Sequence, residues 1–285
     1  MPFVQAGKIK LHYVEHGTGN NIVVFIHGYL GCVHWMDLIG PRLPKDIHVF
    51  AIDWRGCGKS DKPIPTQDFA NYSLKQHAED MITTIKALDI KKCSLANHST
   101  GGIISTYMLL DEPNMFEKVL ALDPVNPRGL LIPGDYRVFF QAIKDSRNYA
   151  FKALAVAAPA LFVQESLSPG AKAQFKSKTT AEQRDLFNLI VDEARILSDG
   201  AGFGTLYHLQ NERNSGTLAR EVYRIKQPHL VLWGEEDMLI PRKDTEGIIK
   251  LLPNCKLKII KNVGHVLIIE NPDLYVEIFT DFFSQ

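Results

Sequence analysis

The sequence predicts an α/β fold: a mostly parallel central sheet flanked by helices, with an inserted helical cap. Along most of the 285 residues, short apolar runs rich in β-branched residues alternate with longer helical patterns. Glycines or chemically reactive side chains directly follow these runs, and one long internal stretch contains helical patterns without a convincing strand. Near-continuous apolar strands that alternate with helices are typical of a parallel sheet covered on both faces.

The apolar runs give the predicted strands in chain order. They are 22–26 before His27-Gly28, 47–52 before Asp53, 93–96 before Asn97, 119–122 before Asp123, 230–233 before Gly234 and 257–260 before Val263. Because the carboxyl ends of parallel strands lie along one edge of a sheet, where ligands bind, we expect the reactive side chains near these ends to share one crevice. They are His27, Ser99, Asp123, Asp237 and His265.

Residues 126–224 are predicted to form the cap. Helical patterns cover 136–157 and 181–197. The core would then consist of residues 1–125 and 225–285, with the cap closing over the crevice.

Composition narrows the choice of partners. The chain has 32 basic and 32 acidic residues, 45% hydrophobic and 22% charged residues, which is ordinary for a soluble globular protein. No basic field is present to bind a phosphate backbone, so we expect no nucleic-acid partner. We expect a small, uncharged and apolar substrate, and a monomer or homodimer.

The lack of visible targeting signals and the scattered cysteines favour a cytoplasmic protein. No basic segment followed by an apolar core opens the chain, and no window approaches 18 consecutive apolar residues, so we expect no secretory signal and no membrane span. The four cysteines are scattered and form no C-x-x-C pair, so we expect neither a metal site nor a disulfide framework.

Ser99 is the candidate nucleophile. An apolar strand leads directly into it, and Gly101, Gly102 and a helical pattern follow. This order is typical of a nucleophile elbow, a sharp turn from strand to helix that exposes one hydroxyl. The usual G-x-S-x-G pattern has glycine where this chain has Asn97. An asparagine there predicts a looser turn, with its amide bonded to a neighbouring loop, or a site tuned to different chemistry.

Asp237 and His265 can activate that serine. A hydroxyl needs a base to take its proton, and the base needs a third group to fix its tautomer. Both residues follow predicted strands, and the chain order Ser, Asp, His is the order found in α/β-hydrolases. Asp123, at the end of an earlier strand, is the alternative acid, and its other interpretation is a turn cap.

Several motifs together resemble the α/β-hydrolase fold superfamily, in its cap-bearing form, from Ile22 to Phe283. These motifs are His27–Gly31, Asp53–Ser60, the Ser99 elbow, Gly234–Asp237 and Gly264-His265. The resemblance implies catalysis by Ser99, with His265 as general base and Asp237 as the orienting acid. It also implies an oxyanion hole made by the backbone N–H groups of Tyr29 and Thr100.

The expected activity is hydrolysis of a carboxylic ester or lactone through an acyl-enzyme on Ser99. Relatives that open epoxides or displace halide use aspartate at the elbow, so a serine favours acyl transfer. No metal or organic cofactor is needed for this chemistry. We assign Tyr29, Phe139 and Phe203 to substrate binding, as parts of an apolar pocket. Asp53 and Arg55 are interpreted as a structural pair, and His98 as a side chain that points away from the pocket.

Three other functions fit the same sequence. The triad could cleave a carbon–carbon bond in a diketone-like substrate. A His/Asp pair that includes Asp123 could support cofactor-free oxygenation. The scaffold could also be a ligand receptor with little turnover, since a fold alone does not determine function.

Overall fold

An eight-stranded, mostly parallel sheet forms the centre of the molecule in the computed structural model. The structure describes residues 2–132 and 134–284; Met1 and Gln285 at the predicted core ends and Pro133 in the predicted cap lie outside the described residues. The strand order is β1-β2-β4-β3-β5-β6-β7-β8. The pairs β1–β2 and β2–β4 are antiparallel, and every later neighbouring pair is parallel. The predicted fold class is confirmed.

The elements follow one another in this order. The strands are β1 (Phe3–Ala6), β2 (Ile9–His16), β3 (Asn21–Ile26), β4 (Ile47–Ile52), β5 (Cys93–His98), β6 (Phe116–Leu122), β7 (His229–Gly234) and β8 (Cys255–Ile260). The α-helices are α1 (Leu74–Ala87), α2 (Thr100–Asp111), α3 (Tyr136–Asp145), α4 (Arg147–Ala155), α5 (Ala181–Arg195), α6 (Thr205–Ser215), α7 (Arg242–Leu251), α8 (Leu267–Glu270) and α9 (Pro272–Phe283). A π-helical turn covers Gly200–Gly204, and short 3₁₀ turns cover Val33–Met36, Gly40–Arg42, Ala70–Tyr72, Gln164–Leu167, Leu218–Arg220 and Val222–Arg224.

Burial of the central strands explains their apolar sequences. All six residues of β5 are buried, as are the last four of β3, β6 and β7. Because successive side chains of a strand point to opposite faces, a fully buried strand must be covered on both faces. Other elements therefore cover both faces of the strands that lead into the site.

The segment between β6 and β7 is built mainly from helices, and we continue to propose residues 126–224 as the cap. The pattern over 136–157 predicts one helix, but the structure has two, α3 and α4. Ser146 separates them with an extended backbone, and its hydroxyl accepts a hydrogen bond from the Tyr149 N–H at 3.2 Å. A serine favours this N-cap role over a position inside a helix because its side chain competes for backbone bonds.

An aromatic cluster forms much of the cap interior. Phe162 and Phe175 stack with ring centroids 4.4 Å apart, and Phe151 and Phe187 meet them edge-on. Such offset and edge-to-face pairs stabilise beyond their area burial. In the described residues, no helix combines the length and apolar character that crossing a bilayer requires.

Candidate active site

Ser99 occupies the turn between β5 and α2 in a strained conformation. Its φ is +52° and its ψ is −119°, a combination that side-chain-bearing residues rarely adopt and that costs about 1–3 kcal/mol. The turn is fixed by three backbone hydrogen bonds: Ser99 N–H donates to Leu122 O, and Ser99 O accepts from the N–H groups of Gly102 and Val125, all at 2.9 Å. The backbone therefore has the form that the elbow pattern predicts.

Glycines around the elbow allow the close approach of three segments. A Cβ on Gly101 would lie 2.2 Å from Ile26 O, and one on Gly28 would lie 2.8 Å from the Cβ of Ser99. Neither distance is possible without a backbone shift. The glycine two residues after Ser99 is thus needed for packing α2 against the end of β3.

His265 and Asp237 form a buried pair next to this turn. Their side chains meet at 2.8 Å between Nδ1 and Oδ2, and both residues are buried. The other carboxylate oxygen of Asp237 accepts hydrogen bonds from the N–H groups of Leu239 at 2.7 Å and Ile240 at 3.1 Å. With Nδ1 donating to the carboxylate, Nε2 carries the lone pair that a general base uses.

Asp123 lies beside the same pair but makes different contacts. One carboxylate oxygen of Asp123, one of Asp237 and one ring nitrogen of His265 lie within 4.8 Å of one another. Asp123 Oδ1 accepts from the Gly234 N–H at 2.8 Å, and no donor among the described residues contacts Oδ2. Complete burial, followed by the neighbouring Asp237, raises the pKa of Asp123 well above its ordinary value. A protonated Asp123 can donate toward Asp237.

The loop after β3 supplies the second predicted oxyanion donor. Tyr29 follows His27 and Gly28, and within the described parts of the chain its backbone N–H donates to no acceptor. The N–H of Thr100 is at the start of α2, where helical N–H groups have no intrahelical partner. Both groups are therefore available to an anion.

His27 itself is structural. It is fully buried, stacks on Trp54 with centroids 4.5 Å apart, and bonds its own loop through Nδ1 and Gly28 O at 2.8 Å. Burial lowers the pKa of His27 to about 4, so the ring is neutral at physiological pH.

The side chain of Tyr29 ties the oxyanion loop to the cap. Its hydroxyl donates to Gly202 O at 2.9 Å, inside the π-helical turn. A Cβ on Gly202 would lie 1.9 Å from the ring of Phe140. The glycines of this turn let the cap backbone approach closely enough for the bond to Tyr29. The sequence pattern did not predict this bond.

A second cap contact holds the loop that carries His265. The His265 N–H donates to Ala157 O at 2.9 Å. The buried carboxylate of Glu270 accepts from the Ala160 N–H at 2.8 Å and from the Gly264 N–H at 2.7 Å. Sequence reasoning missed Glu270, whose signal is an acid at the end of the apolar run Val266–Ile269.

The prediction that His98 points away from the pocket is wrong. Its ring lies 4.7 Å from that of His265 and 5.2 Å from that of Trp35, and it forms part of the cavity wall beside Ser99. Its Nε2 is 2.9 Å from His265 O. This bond to the backbone of the neighbouring loop draws the ring toward the site.

The proposed pairing of Asp53 with Arg55 is also wrong. Asp53 instead contacts His12 Nδ1 at 2.7 Å and the Val33 N–H at 2.8 Å. Arg55 forms a bidentate pair with Asp80, at 2.6 and 2.7 Å. Both residues brace the turn after β4, but each does so with a partner from another segment.

A cavity of about 1130 Å³ opens above Ser99, Thr100, His98 and His265. Core and cap side chains line it, mostly apolar ones, including Leu30, Val125, Leu154, Phe187, Ile190 and Leu206. Four lining residues are also exposed apolar side chains: Leu131, Tyr149, Met238 and Leu239. Among the described lining residues, one side chain is acidic, Asp145, and one is a lysine, Lys152. The cavity therefore extends from Ser99 to exposed apolar side chains at the surface.

Of the predicted substrate-binding residues, Tyr29 and Phe139 line this cavity. Phe203 borders a separate surface depression with Phe69 and Val138, and its ring meets Phe140 edge-on at 4.9 Å. We therefore withdraw its assignment to substrate binding. The π-helical turn places the Phe203 ring against the buried ring of Phe140 on α3.

Asn97 is buried behind the elbow. Within the described residues, its Oδ1 has no hydrogen-bond partner. The predicted hydrogen bond between the Asn97 amide and a neighbouring loop is therefore absent at this oxygen in the described part of the chain. The oxygen lies 3.3 Å from the position that a Cβ on Gly102 would take, so the asparagine fits because α2 has a glycine opposite it.

A known protein family matches most of the chain. A family model described as alpha/beta hydrolase fold matches residues 21–272. Epoxide hydrolase 2 of Caenorhabditis elegans is 22% identical over 293 residues, covering 97% of this chain and 79% of that protein.

Two solved structures are similar over the whole chain. An esterase from Exiguobacterium antarcticum superposes with a TM-score of 0.79 at 19% identity, covering 99% of both chains. An enol-lactonase from Burkholderia xenovorans LB400 gives a TM-score of 0.76 at 18% identity, covering 100% of both. At these identities the structural likeness concerns the fold.

Proposed function

Because the chain belongs to the α/β-hydrolase fold family and is a hydrolase, we propose that it hydrolyses a carboxylic ester or lactone through an acyl-enzyme on Ser99. The observation that carries this proposal is the position of Ser99. It occupies a strained turn in the wall of a cavity shared with His265, and His265 is bonded to the buried Asp237. A hydroxyl, a base and an orienting carboxylate are the parts that acyl transfer requires.

The proposed reaction has two halves. Nε2 of His265 takes the proton of Ser99 as Oγ attacks the carbonyl carbon, and the N–H groups of Tyr29 and Thr100 stabilise the resulting oxyanion. The imidazolium then gives its proton to the leaving alkoxide. Water, deprotonated by the same nitrogen, attacks the acyl-enzyme, and the imidazolium returns that proton to Ser99 Oγ as the bond to the acyl group breaks and the acid is released. Asp237 keeps the imidazole in the required tautomer and stabilises its positive charge.

The nucleophile favours acyl chemistry over epoxide opening, which is the activity in the name of one relative. A serine adds to a carbonyl and leaves again when water attacks the ester. Attack of the same serine on an epoxide carbon would leave an ether, which water under His265 catalysis does not cleave.

The cavity favours an uncharged, apolar substrate. Ligand cavities for drug-sized molecules span about 300–1,000 Å³, and this one has about 1130 Å³ and a mainly apolar lining. We also propose a reducing, cytoplasmic setting. All four cysteines are free, and three of them are buried.

Hydrolysis of a p-nitrophenyl ester series tests this function. The wild type is expected to release p-nitrophenol with saturation kinetics, while Ser99→Ala falls to near the uncatalysed rate without loss of folding by circular dichroism. Ser105→Ala, in the adjoining helix and buried away from the cavity, is the matched control and should keep its activity. Equal rates for wild type and Ser99→Ala would refute the proposal.

A further inference from the structure

A second cavity, of about 360 Å³, lies open to the surface at the end of helix α6, and Arg128 and Arg220 in its wall are exposed. It is lined by Arg128, Arg213, Gly216, Ala219 and Arg220. Three of its five lining residues are therefore arginines, and no acidic residue is among the described residues that line it. In a chain with equal numbers of acidic and basic residues, such a concentration of one sign of charge is a local feature.

These arginines are largely without counter-charges. In the described part of the chain, the guanidinium groups of Arg128 and Arg213 have no hydrogen-bond or ion-pair partner from the protein, and both are at least partly open to solvent. Arg220 donates to two main-chain oxygens, Gly216 O at 3.3 Å and Ser215 O at 2.7 Å. By contrast, the nearby Arg224 is paired with Glu221 at 3.0 Å.

The neighbouring acid is already occupied. Glu212 is buried one residue before Arg213, and its carboxylate accepts from the Leu218 N–H at 2.6 Å and the Tyr107 hydroxyl at 3.2 Å. The Glu212 carboxylate therefore bonds to these two groups and not to the arginines of the cavity.

Helix-end stabilisation explains two of the three, since Arg213 itself lies in the last turn of α6. Basic side chains near a helix C-terminus interact favourably with its dipole and its last carbonyls, and Arg220 does this at the end of α6. Arg128 belongs to the segment after β6 and makes no bond to those carbonyls. Stabilisation of the helix end therefore does not explain why all three arginines line one cavity.

We propose that this cavity binds a phosphate group. Planar guanidinium groups with several donors match the oxygens of phosphate and can bind them bidentately. An anion would also relieve the repulsion among three like charges in one concave site. The cavity can accommodate inorganic phosphate, pyrophosphate or the phosphate of a larger molecule.

The site borders the substrate cavity. Leu130 and Leu209 line the cavity above Ser99, and the Leu130 N–H donates to Leu209 O at 3.3 Å. Arg128 lies two residues before Leu130, and Arg213 lies one turn after Leu209 on α6. The two cavities are therefore neighbours through these segments, although Ser99 belongs only to the larger one.

Isothermal titration calorimetry of the whole protein with sodium pyrophosphate tests the proposal. The wild type is expected to bind one equivalent, with affinity that falls as ionic strength rises. Arg128→Gln and Arg213→Gln should each weaken binding at least tenfold. Arg224→Gln, a nearby paired arginine outside the cavity, should bind within twofold of wild type.

Vesicles distinguish a soluble phosphate from a lipid headgroup. Co-sedimentation with phosphatidate vesicles, set against phosphatidylcholine vesicles, uses the same variants. Pyrophosphate binding without vesicle binding identifies a soluble ligand, and vesicle binding that both cavity variants abolish identifies a headgroup. Absence of both, or binding that Arg128→Gln and Arg213→Gln leave unchanged, would overturn the proposal.

Discussion

At the scale of single residues, Asp237 and Asp123 differ in their hydrogen bonds. Asp237 has its oxygens engaged by the His265 ring and two backbone N–H groups. Asp123 has one acceptor bond, from Gly234, and burial raises the pKa of its carboxyl. The contacts therefore favour Asp237 as the proposed acid and a neutral Asp123 beside it, two roles that strand-end positions alone did not separate.

Two isosteric substitutions test this difference. We expect Asp237→Asn to lower kcat by roughly 10⁴-fold, as loss of the orienting acid does in a serine protease triad. Asp123→Asn should stay within about tenfold of wild type, because an amide can donate to Asp237 much as a neutral carboxyl does. Steady-state kinetics on one activated ester, with thermal unfolding to verify folding, give the comparison. The reverse ranking would identify Asp123 as the acid.

Residue positions that follow a strand were predictable, whereas partners across the chain were not. Ser99, Asp237 and His265 could be located because the carboxyl ends of parallel strands meet at one edge of the sheet. Arg55 pairs with Asp80, and Phe203 packs against Phe140. Both contacts join segments that are far apart in the sequence. Such pairings have no periodic signature in the sequence, so the predictions for both residues were wrong.

At the scale of elements, the cap is joined to two loops of the proposed site. Tyr29 donates to the π-helical turn, and Glu270 bridges the Ala160 and Gly264 N–H groups. Ala160 and Glu270 are 110 residues apart in sequence, which is why neither hydrophobic periodicity nor a motif predicted their contact. The break between α3 and α4 was missed for a local reason, because Ser146 caps a helix within a continuous helical pattern.

Glu270 predicts a pH-dependent stability. Burial raises the pKa of Glu270 to about 7, whereas an unfolded glutamate titrates at about 4.3. Between these values the folded state holds its proton more tightly than the unfolded state, so the free energy of unfolding falls as pH rises from about 4.3 to about 7. The decrease from this one group is at most about 4 kcal/mol.

Glu270→Gln should remove that decrease, since an amide does not titrate. Urea unfolding at pH 5 and pH 8 measures it as the difference between wild type and variant, which cancels the other titrating groups. The exposed Glu235→Gln is the control and should follow wild type. If Glu270→Gln lost stability over this range as steeply as wild type, the raised pKa of Glu270 would be refuted.

At the scale of the whole molecule, core and cap together enclose a cavity of about 1130 Å³. Its apolar lining comes from segments on both sides of the crevice, such as Leu30 and Val125 from the core and Phe139 and Leu206 from the cap. Sequence patterns predicted an apolar pocket, but not its volume. Volume depends on how the helices pack over the sheet, which the pattern of a single helix does not contain.

The cavity predicts a preference for longer acyl chains. Each buried methylene contributes about 0.8 kcal/mol, or up to about fourfold in kcat/KM. We expect p-nitrophenyl octanoate to exceed the acetate in kcat/KM, and Ala153→Trp, which fills part of the cavity wall, to reduce the octanoate rate more than the acetate rate. Equal kcat/KM for both esters would contradict an acyl site in this cavity.

Covalent labelling tests the central claim most directly. Incubation of the protein with a fluorophosphonate, followed by digestion and tandem mass spectrometry, locates any adduct on the chain. The proposed mechanism predicts one adduct per molecule, on Ser99, and a strong decrease in labelling rate in Asp237→Asn. Labelling confined to another residue, or none at Ser99 in the folded wild type, would contradict an activated serine at this elbow.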